Sequence, residues 1–321
     1  MLLMIIFNFL KKNHIRTAGY EVFEDYEESK EYISDSKFPI VIKADGLAAG
    51  KGVTIAHSAE EAYKALDDAM QKKIFGSAGT KVVIEDFLEG EEASFIVLCD
   101  GKKTIPFASS QDHKARDNND LGPNTGGMGA YSPAPIVTEE IHKQVMKKII
   151  KPTIDGLKSE GITYKGFLYA GLMIKNSEIS VLEFNCRFGD PETQPILMRM
   201  ESDLAEICLL AAQGNLNERE ISWTKDSALG VVIASKGYPF EYEKNKEINN
   251  LENENPRQKV FHAGTKTQEG QVLSNGGRVL CVTALGSTLL DSKNLAYQKV
   301  KTIDWKDGFY RDDIGDKAIK S

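Results

Sequence analysis

The sequence lacks the marks of several protein classes. Its 321 residues include only four cysteines, none in a C-x-x-C pair, which predicts neither a zinc site nor a disulfide framework and is typical of a reducing compartment. Forty basic against forty-seven acidic residues leave a net charge of −7, so we expect no nucleic-acid partner. No segment repeats with a period of roughly 20–50 residues, which excludes a solenoid.

Long apolar runs are also missing. The one strongly apolar segment, residues 1–10 (MLLMIIFNFL), is shorter than the roughly 20 residues that a membrane-spanning helix needs. Lys11 and Lys12 follow it, where a signal peptide would have small residues and a cleavage site. The segment is therefore a buried helix or an abnormal chain start, and we favour the helix. We predict a cytoplasmic protein with no membrane partner and no obligate protein partner.

Length and composition predict about two folded domains. At roughly 150 residues per domain, the chain is long enough for two, and 41% hydrophobic with 27% charged residues favour a packed core over disorder. Strands and amphipathic helices alternate up to about residue 226, and short strands with turn residues between them follow. We expect a larger domain over residues 1–226 and a smaller α+β domain over residues 227–321.

Local patterns predict several elements. Residues 39–44 (PIVIKA) and 53–56 (VTIA) read as two strands at hairpin distance. Residues 138–159 have a helical pattern, which Pro152 must kink or divide.

Two further segments bear on function. Asp190 and Pro191 suit the N-cap and first position of a long helix that ends at Gly214. Residues 111–133 are polar, rich in glycine and without hydrophobic period, which predicts a loop. Loops of this length are uncommon in compact domains unless they are functional.

The glycine-rich segment after the first strand is a candidate phosphate site. Residues 45–53 (DGLAAGKGV) do not have the Walker A spacing, so they form a flap over phosphates or an ordinary hairpin. The glycines and lysine concerned are Gly46, Gly50, Lys51 and Gly52. Lys43, inside an apolar strand, needs a partner for its ammonium group. It either faces water from an edge strand or points at a phosphate.

A second candidate is a cation site in residues 181–195 (VLEFNCRFGDPETQP). Alternate residues of a strand share a face, so Glu183 and Asn185 would present two oxygen donors that suit Mg²⁺. Arg187 would follow on that side if the strand stays extended, and could neutralise a transferring phosphoryl group. Asp190 is a helix cap or an anchor for an ammonium group. Glu183 could equally be an ordinary solvent-facing strand residue.

Two more segments are ambiguous on composition alone. Residues 84–94 (IEDFLEGEEAS) could line an adenine base along a strand end and bind ribose through Glu92, but composition favours an acidic surface turn. Residues 110–133 are a solvated charged surface or a loop that brings its backbone close to a ligand. Their candidate ligand groups are Asp112, His113, Lys114, Arg116, Asn124, Thr125, Gly126 and Gly127.

Five segments together resemble the phosphoribosylamine–glycine ligases, a family of ATP-grasp enzymes in purine biosynthesis. They are IKADGLAAGKGV, VIEDFLEGEEASF, SQDHKARDNNDLGPNTGGMGAYSP, GFLYAGLM and LEFNCRFGDPETQP. The resemblance implies an α+β ATP-grasp fold of antiparallel sheets and helices, with a mobile lid over about residues 18–88 and a small C-terminal α+β domain. It implies that ATP drives the joining of glycine to 5-phosphoribosylamine, through a glycyl phosphate.

The resemblance also implies roles for individual residues. Lys43 and Arg187 would act on the phosphates during transfer, and Glu183 and Asn185 would bind Mg²⁺ or Mn²⁺. The ATP-binding residues would be Lys43, Gly46, Gly50, Lys51, Gly52, Glu85, Phe87, Leu88 and Glu92. Glycine and phosphoribosylamine would be bound by Asp112, His113, Lys114, Arg116, Asn124, Thr125, Gly126, Gly127 and Asp190.

The sequence departs from the family at two points. Relatives carry an additional N-terminal domain, whereas the family-like sequence begins here almost at the first residue, so we expect that domain to be missing. The strand over residues 167–174 has no acid, which leaves the metal to Glu183, Asn185 and the nucleotide. The alternative to an active ligase is therefore an impaired remnant that binds Mg-ATP. A ligase for another carboxylate is disfavoured by the loop over residues 110–133.

Overall fold

The computed structural model describes residues 2–46, 52–217, 219–252 and 255–320. These residues form two compact units, each made of several chain segments. The first unit comprises Met1–Glu91, Glu139–Ile162 and Leu172–Leu182, and the second comprises Glu92–Thr138, Thr163–Gly171 and Glu183–Ser321.

The first unit is an antiparallel sheet with helices. Its strands, in the order β1-β4-β2-β3, are β1 (Tyr20–Phe23), β2 (Ile40–Ala44), β3 (Val53–Ala56) and β4 (Val82–Asp86). Its helices are α1 (Leu2–Lys12), α2 (Tyr26–Asp35), α3 (Ala59–Leu66), α4 (Glu139–Val145) and α5 (Lys151–Ser159). The predicted hairpin of β2 and β3 is confirmed by the pairing of Ile40 with Ala56.

One face of strand β2 builds the core of this unit. Ile40 and Ile42 are buried together with Leu66 of α3 and Ile84 of β4. Because side chains alternate along a strand, Lys43 lies on the opposite face. Strand β2 has neighbours on both sides, so the edge-strand interpretation of Lys43 is wrong.

Two helix predictions for this unit are confirmed. The apolar first residues form α1, with Phe7 and Leu10 buried. Pro152 lies in the first turn of α5, directly after a π-helical turn (Met146–Ile150) that separates α5 from α4. Within the described ranges, no helix combines the length and the apolar character that a membrane crossing requires.

The second unit contains two larger sheets and two short hairpins. The strands are β5 (Glu91–Asp100), β6 (Thr104–Pro106), β7 (Gln111–Asp112), β8 (Ala115–Asp117), β9 (Leu121–Asn124), β10 (Gly129–Ser132), β11 (Lys165–Lys175), β12 (Glu178–Asn185), β13 (Ser227–Ser235), β14 (Gln258–His262), β15 (Thr265–Gln268), β16 (Gln271–Ser274), β17 (Arg278–Gly286) and β18 (Gly308–Phe309). The larger sheets have the orders β12-β11-β5-β6 and β14-β17-β13-β10-β7, with β18 paired to β13, and the hairpins are β8-β9 and β15-β16. Strands β11 and β12 contribute residues to both units.

The helices of the second unit pack on these sheets. They are α6 (Thr193–Arg199), α7 (Leu204–Gln213), α8 (Leu289–Val300) and α9 (Asp316–Lys320). One core cluster joins Ile96 of β5 to Ile196 of α6. Another joins Val231 of β13 and Val282 of β17 to Ala296 of α8.

Two predicted elements of this unit are wrong in part. Residues 111–133 contain the strands β7 to β10, which local sequence hides because strands of two to four residues pair through their backbone and show little side-chain alternation. The predicted long helix is two helices: α6 begins only at Thr193, and α7 has its own N-cap, Asp203. Asp190 is therefore not a helix cap, whereas Gly214 ends α7, as predicted, and has the left-handed conformation.

Candidate functional site

A buried ion pair occupies the face of the first unit's sheet opposite its core. Lys43 Nζ lies 2.6 Å from Glu85 Oε1 and donates to Oε2 at 2.9 Å. The two side chains are only 14% and 4% exposed. Burial raises the pKa of Glu85, and Lys43 opposes that rise. Lys43 thus has a partner, and the Oε1 atom of Glu85 has no hydrogen bond of good geometry.

A backbone hydrogen bond joins the end of β2 to the last glycine of the glycine-rich segment. Ala44 N donates to Gly52 O at 2.9 Å. A Cβ atom on Gly46 would lie 2.5 Å from Ala78 Cβ, so this position needs glycine for close approach. Gly50 and Lys51, predicted to bind phosphate, lie outside the described residues.

A small cavity borders the segment that follows β4. It has a volume of about 230 Å³ and is lined by Phe87, Leu88 and Met173, among others. At its rim Lys175 pairs with Glu89 at 2.5 Å. The volume is below the roughly 300–1,000 Å³ of sites for drug-sized ligands, so the cavity suits one ring system rather than a whole nucleotide.

In the second unit, Glu183 and Asn185 share a face at the end of β12. Asn185 Nδ2 donates to Glu183 Oε1 at 3.2 Å. On β11, a Cβ atom at Gly171 would lie 3.2 Å from Glu183 Cγ, so glycine leaves space beside the carboxylate. No group of three or more histidine, cysteine or acidic side chains suited to a metal occurs among the described residues. A cation here would therefore complete its shell with water or phosphate oxygens, which Mg²⁺ accepts.

Arg187 does not continue this face. Strand β12 ends at Asn185, so the alternation on which the prediction for Arg187 depended stops two residues earlier. Arg187 is exposed and donates to the carbonyl oxygen of Phe188 at 2.9 Å.

A charged cluster lies at β7, in the same unit. Lys114 Nζ pairs with Glu92 Oε2 at 2.8 Å. Loss of hydration raises the pKa of Asp112 above its ordinary value, and the carboxylates of Glu192, Glu92 and Glu183 add to the rise, while Lys114 opposes it. Desolvation lowers the pKa of Lys114, but Glu92 and Asp112 outweigh it and hold that pKa well above the ordinary range.

Asp190 is held by an arginine from strand β17. Arg278 Nη2 donates to Asp190 Oδ2 at 3.1 Å, and Nη1 donates to the Asp190 carbonyl at 2.8 Å and to the Gly126 carbonyl at 2.7 Å. The hydroxyl oxygen of Tyr238 accepts a hydrogen bond from Gly126 N at 3.0 Å. These bonds join Asp190 to the glycine-rich end of the segment over residues 110–133.

Two family models match the chain. The model of the phosphoribosylglycinamide synthetase ATP-grasp (A) domain matches residues 6–193, and that of the C domain matches residues 228–317. The first alone covers more than half of the chain. The chain belongs to the phosphoribosylglycinamide synthetase family. The predicted family and the predicted ATP-grasp fold are therefore confirmed.

Individual relatives agree with this assignment. A phosphoribosylamine–glycine ligase of Escherichia coli O157:H7 is 54% identical over 316 residues, 98% of this chain and 74% of the relative. That of Pasteurella multocida (strain Pm70) is 52% identical over 313 residues, 97% of this chain and 73% of the relative. The crystal structure of the Thermotoga maritima phosphoribosylamine–glycine ligase has a TM-score of 0.87 and 35% identity, and the match covers 98% of this chain and 78% of that one.

The remaining predicted residues of this phosphoribosylglycinamide synthetase chain lie along the segment over residues 110–133. Thr125 Oγ1 donates to Lys114 O at 2.8 Å and accepts from Gly127 N at 3.0 Å. Arg116 forms a bidentate ion pair with its neighbour Asp117. Asn124 is exposed at the end of β9.

The ring of His113 in this segment is buried rather than open to a ligand. Its Nε2 atom accepts from Gly315 N at 3.2 Å, which places the ring proton on Nδ1. Burial lowers the pKa of His113 to about 4, and the charge of Arg311 contributes. The imidazole is therefore neutral near neutral pH.

Sequence reasoning missed two groups at this synthetase site. Arg278 belongs to the C domain, where the sequence carries no motif that points to the site. Glu192 is only 2% exposed and accepts from Ser94 Oγ at 2.8 Å, and the same hydroxyl contacts Tyr169 OH at 3.0 Å. The sequence offers no signal for Glu192, because its burial is a property of the folded structure.

Proposed function

We propose that this chain joins glycine to 5-phosphoribosylamine in a reaction driven by ATP, giving glycinamide ribonucleotide, ADP and phosphate. The observation that supports this most directly is the placement of Glu183 and Asn185 on one face of β12, where Asn185 Nδ2 donates to Glu183 Oε1 at 3.2 Å. They lie in the unit that also contains Asp112, Lys114 and the clamped Asp190. Membership of the phosphoribosylglycinamide synthetase family gives the substrates.

The reaction needs activation of a poor electrophile. A glycine carboxylate oxygen attacks the γ-phosphorus of ATP, and the bond to the ADP oxygen breaks, which yields glycyl phosphate. The amine of phosphoribosylamine then attacks the carbonyl carbon, the bond to the phosphate oxygen breaks, and the nitrogen loses a proton. Both steps depend on positioning and charge neutralisation rather than on a protein nucleophile.

In this proposal the first unit binds the nucleotide. The base lies in the cavity beside Phe87 and Leu88, and Lys43 directs its charge to the phosphates beside Gly46 and Gly52. Glu85, buried and paired with Lys43, keeps the ammonium group in place. Gly50 and Lys51 are assigned to the phosphates by family resemblance, and Glu92 of the second unit is assigned to the ribose on the same basis.

The second unit would hold a divalent cation and the other substrates. The carboxylate of Glu183 and the amide oxygen of Asn185 suit Mg²⁺ or Mn²⁺, which when bound would neutralise charge on phosphate oxygens. Arg187, which is exposed and donates to the neighbouring carbonyl of Phe188, would turn toward a phosphoryl group. Asp190 would bind the glycine ammonium group while Arg278 fixes its carboxylate.

The segment over residues 110–133 would bind the amine substrate. Lys114 and Arg116 would bind its phosphate through their positive charges, and Asp112 would accept a hydrogen bond from the amine. Asn124, Thr125, Gly126 and Gly127 offer amide and hydroxyl groups to the sugar. His113 would pack beneath this surface rather than contact the substrate, because its ring is buried.

One assay tests the function. Purified chain is incubated with ATP, Mg²⁺, glycine and freshly prepared phosphoribosylamine, and ADP release is measured with each component omitted in turn. We expect release only with all four components. Binding of Mg-ATP without release would instead support the impaired remnant, and release with another carboxylate in place of glycine would overturn the substrate assignment.

Three further points stay predictions. The division at residue 226 accords with the family models, which leave residues 194–227 between them. We also propose a cytoplasmic location. The chain is expected to act on small molecules without nucleic acid, membrane or an obligate protein partner.

A further inference from the structure

The five residues 311–315, here called the C-terminal strap, run beside the segment that would bind the amine substrate. Arg311 is 2% exposed. Its guanidinium donates to both carboxylate oxygens of Asp313 at 2.8 Å, to Ala115 O at 3.0 Å and to Asp120 Oδ1 at 2.9 Å. Arg311 therefore connects the strap to backbone and side chain of the β8-β9 hairpin, about 190 residues earlier in the chain.

The turn of that hairpin is bonded from outside. Asn119 and Asp120 have φ angles of 57° and 55°, in the left-handed region, which asparagine and aspartate adopt more readily than other non-glycine residues. Asn119 N donates to Asp313 Oδ2 at 2.8 Å, and Lys317 of α9 donates to Asp120 Oδ2. Bonds from the strap and α9 thus add to the local preference of the turn.

The strap makes a second contact with the segment, at His113. Gly315 N donates to His113 Nε2 at 3.2 Å. The strap itself is fixed by Tyr297 of α8, whose hydroxyl donates to Arg311 O at 2.6 Å and accepts from Ile314 N at 3.2 Å. Ile314 is fully buried. The strap is therefore a rigid support for the segment.

We infer that the C-terminal strap positions the substrate-binding segment, with Arg311 as the principal positioning residue. The segment over residues 111–125 buries little apolar surface of its own, with Ala115 its one buried hydrophobic side chain among the described residues. Hydrogen bonds from other parts of the chain must therefore offset the conformational entropy that the segment loses when it is ordered. This role in substrate binding rests on the proposed function, whereas the ordering role does not.

The principal test is Arg311→Lys, which keeps the charge but loses the planar fork. Hydrogen exchange of the amides in residues 113–125 should accelerate about tenfold or more, as expected for loss of one charged hydrogen bond, while exchange in β13 and β17 stays unchanged. The KM for phosphoribosylamine should rise about tenfold with the KM for ATP unchanged. The matched control is Arg219→Lys, at an exposed arginine that pairs with Glu206.

Milder variants decide the matter if Arg311→Lys fails to fold. Lys317→Met and Asn118→Ala remove exposed contacts to Asp120 and Asp312, and each should accelerate exchange within residues 118–121. Unchanged exchange in a folded Arg311→Lys chain, or in both milder variants, would overturn the inference. A parallel rise in the KM for ATP would reduce Arg311 to a general structural role. If the unaltered chain releases no ADP, the proposed function fails, but the exchange measurement still decides the strap.

Discussion

Lys43 Nζ and Glu85 Oε1 lie 2.6 Å apart on the neighbouring strands β2 and β4, with both side chains largely withdrawn from water. Lys43 is directly opposite Val83, so Glu85 is its diagonal neighbour on the same face. Neither charge is easily buried alone. The pair therefore explains why an apolar strand carries a lysine, and it holds the ammonium group at a fixed place near the glycine-rich segment.

Lys43→Met should destabilise the first unit. Removal of one partner leaves the Glu85 carboxylate buried without its counter-charge, which costs about 3 kcal/mol. The double variant Lys43→Met with Glu85→Gln should recover part of that loss, because no uncompensated charge remains. Urea denaturation measures the free energy of unfolding of each variant. The control Lys151→Met, at an exposed pair with Asp155, should cost less than about 1 kcal/mol.

Glu183→Gln should weaken the binding of Mg-ATP. The variant keeps the shape of the side chain but removes the carboxylate assigned to the proposed cation site, so we expect at least about a tenfold rise in the dissociation constant. Calorimetric titration with ATP, with and without Mg²⁺, gives the value. Glu206→Gln, at an exposed glutamate on α7, is the control. Full Mg-ATP affinity in Glu183→Gln would contradict the cation site.

Arg278→Met should affect substrate binding but not ATP binding. It removes the bonds that hold Asp190 and the Gly126 carbonyl together. Hydrogen bonds to charged groups contribute about 1.5–3 kcal/mol, so kcat/KM for glycine should fall about 10–100-fold. Steady-state kinetics with each substrate varied in turn separates the effects. Arg257→Met, at an arginine paired with Asp226, should leave the kinetics unchanged; an equal fall there would argue against a specific role.

Because of His113, the free energy of unfolding should decrease as the pH falls from about 6.5 to about 4. Its pKa in the folded chain, about 4, is below the ordinary 6.5. As pH falls through this window, the unfolded chain gains a proton that the folded chain does not, so folding stability decreases. The full difference corresponds to about 3 kcal/mol. Arg311 opposes protonation from the strap, while Asp120 and Asp313 favour it.

The measurement for His113 is urea denaturation at about pH 7 and about pH 4.5. His113→Gln should show a smaller difference between the two conditions than the unaltered chain. His142, whose pKa is lowered by burial, contributes in the same direction and remains in both proteins. Equal pH dependence with and without His113 would show that the ring is not excluded from water.

The sequence predicted elements that depend on neighbouring residues. The β2-β3 hairpin, the break before Pro152 and the left-handed end of α7 at Gly214 all follow from local propensity. It failed where pairing is remote or strands are short. Strands β7 to β10 have two to four residues each, too few for a readable alternation. The start of α6 was misplaced because Asp190, a good N-cap by type, is engaged by Arg278 instead.

The candidate site divides in the same way. That Glu183 and Asn185 share a face follows from strand geometry alone, because residues two apart point in the same direction. The family motifs around them are also a property of the chain. The sequence could not determine which charged side chains form ion pairs. Lys43 and Glu85 are 42 residues apart in the chain, and Arg278 and Asp190 are 88 residues apart. Such pairs form only after the strands have assembled, so tertiary packing, not local preference, decided the surroundings of each charged group.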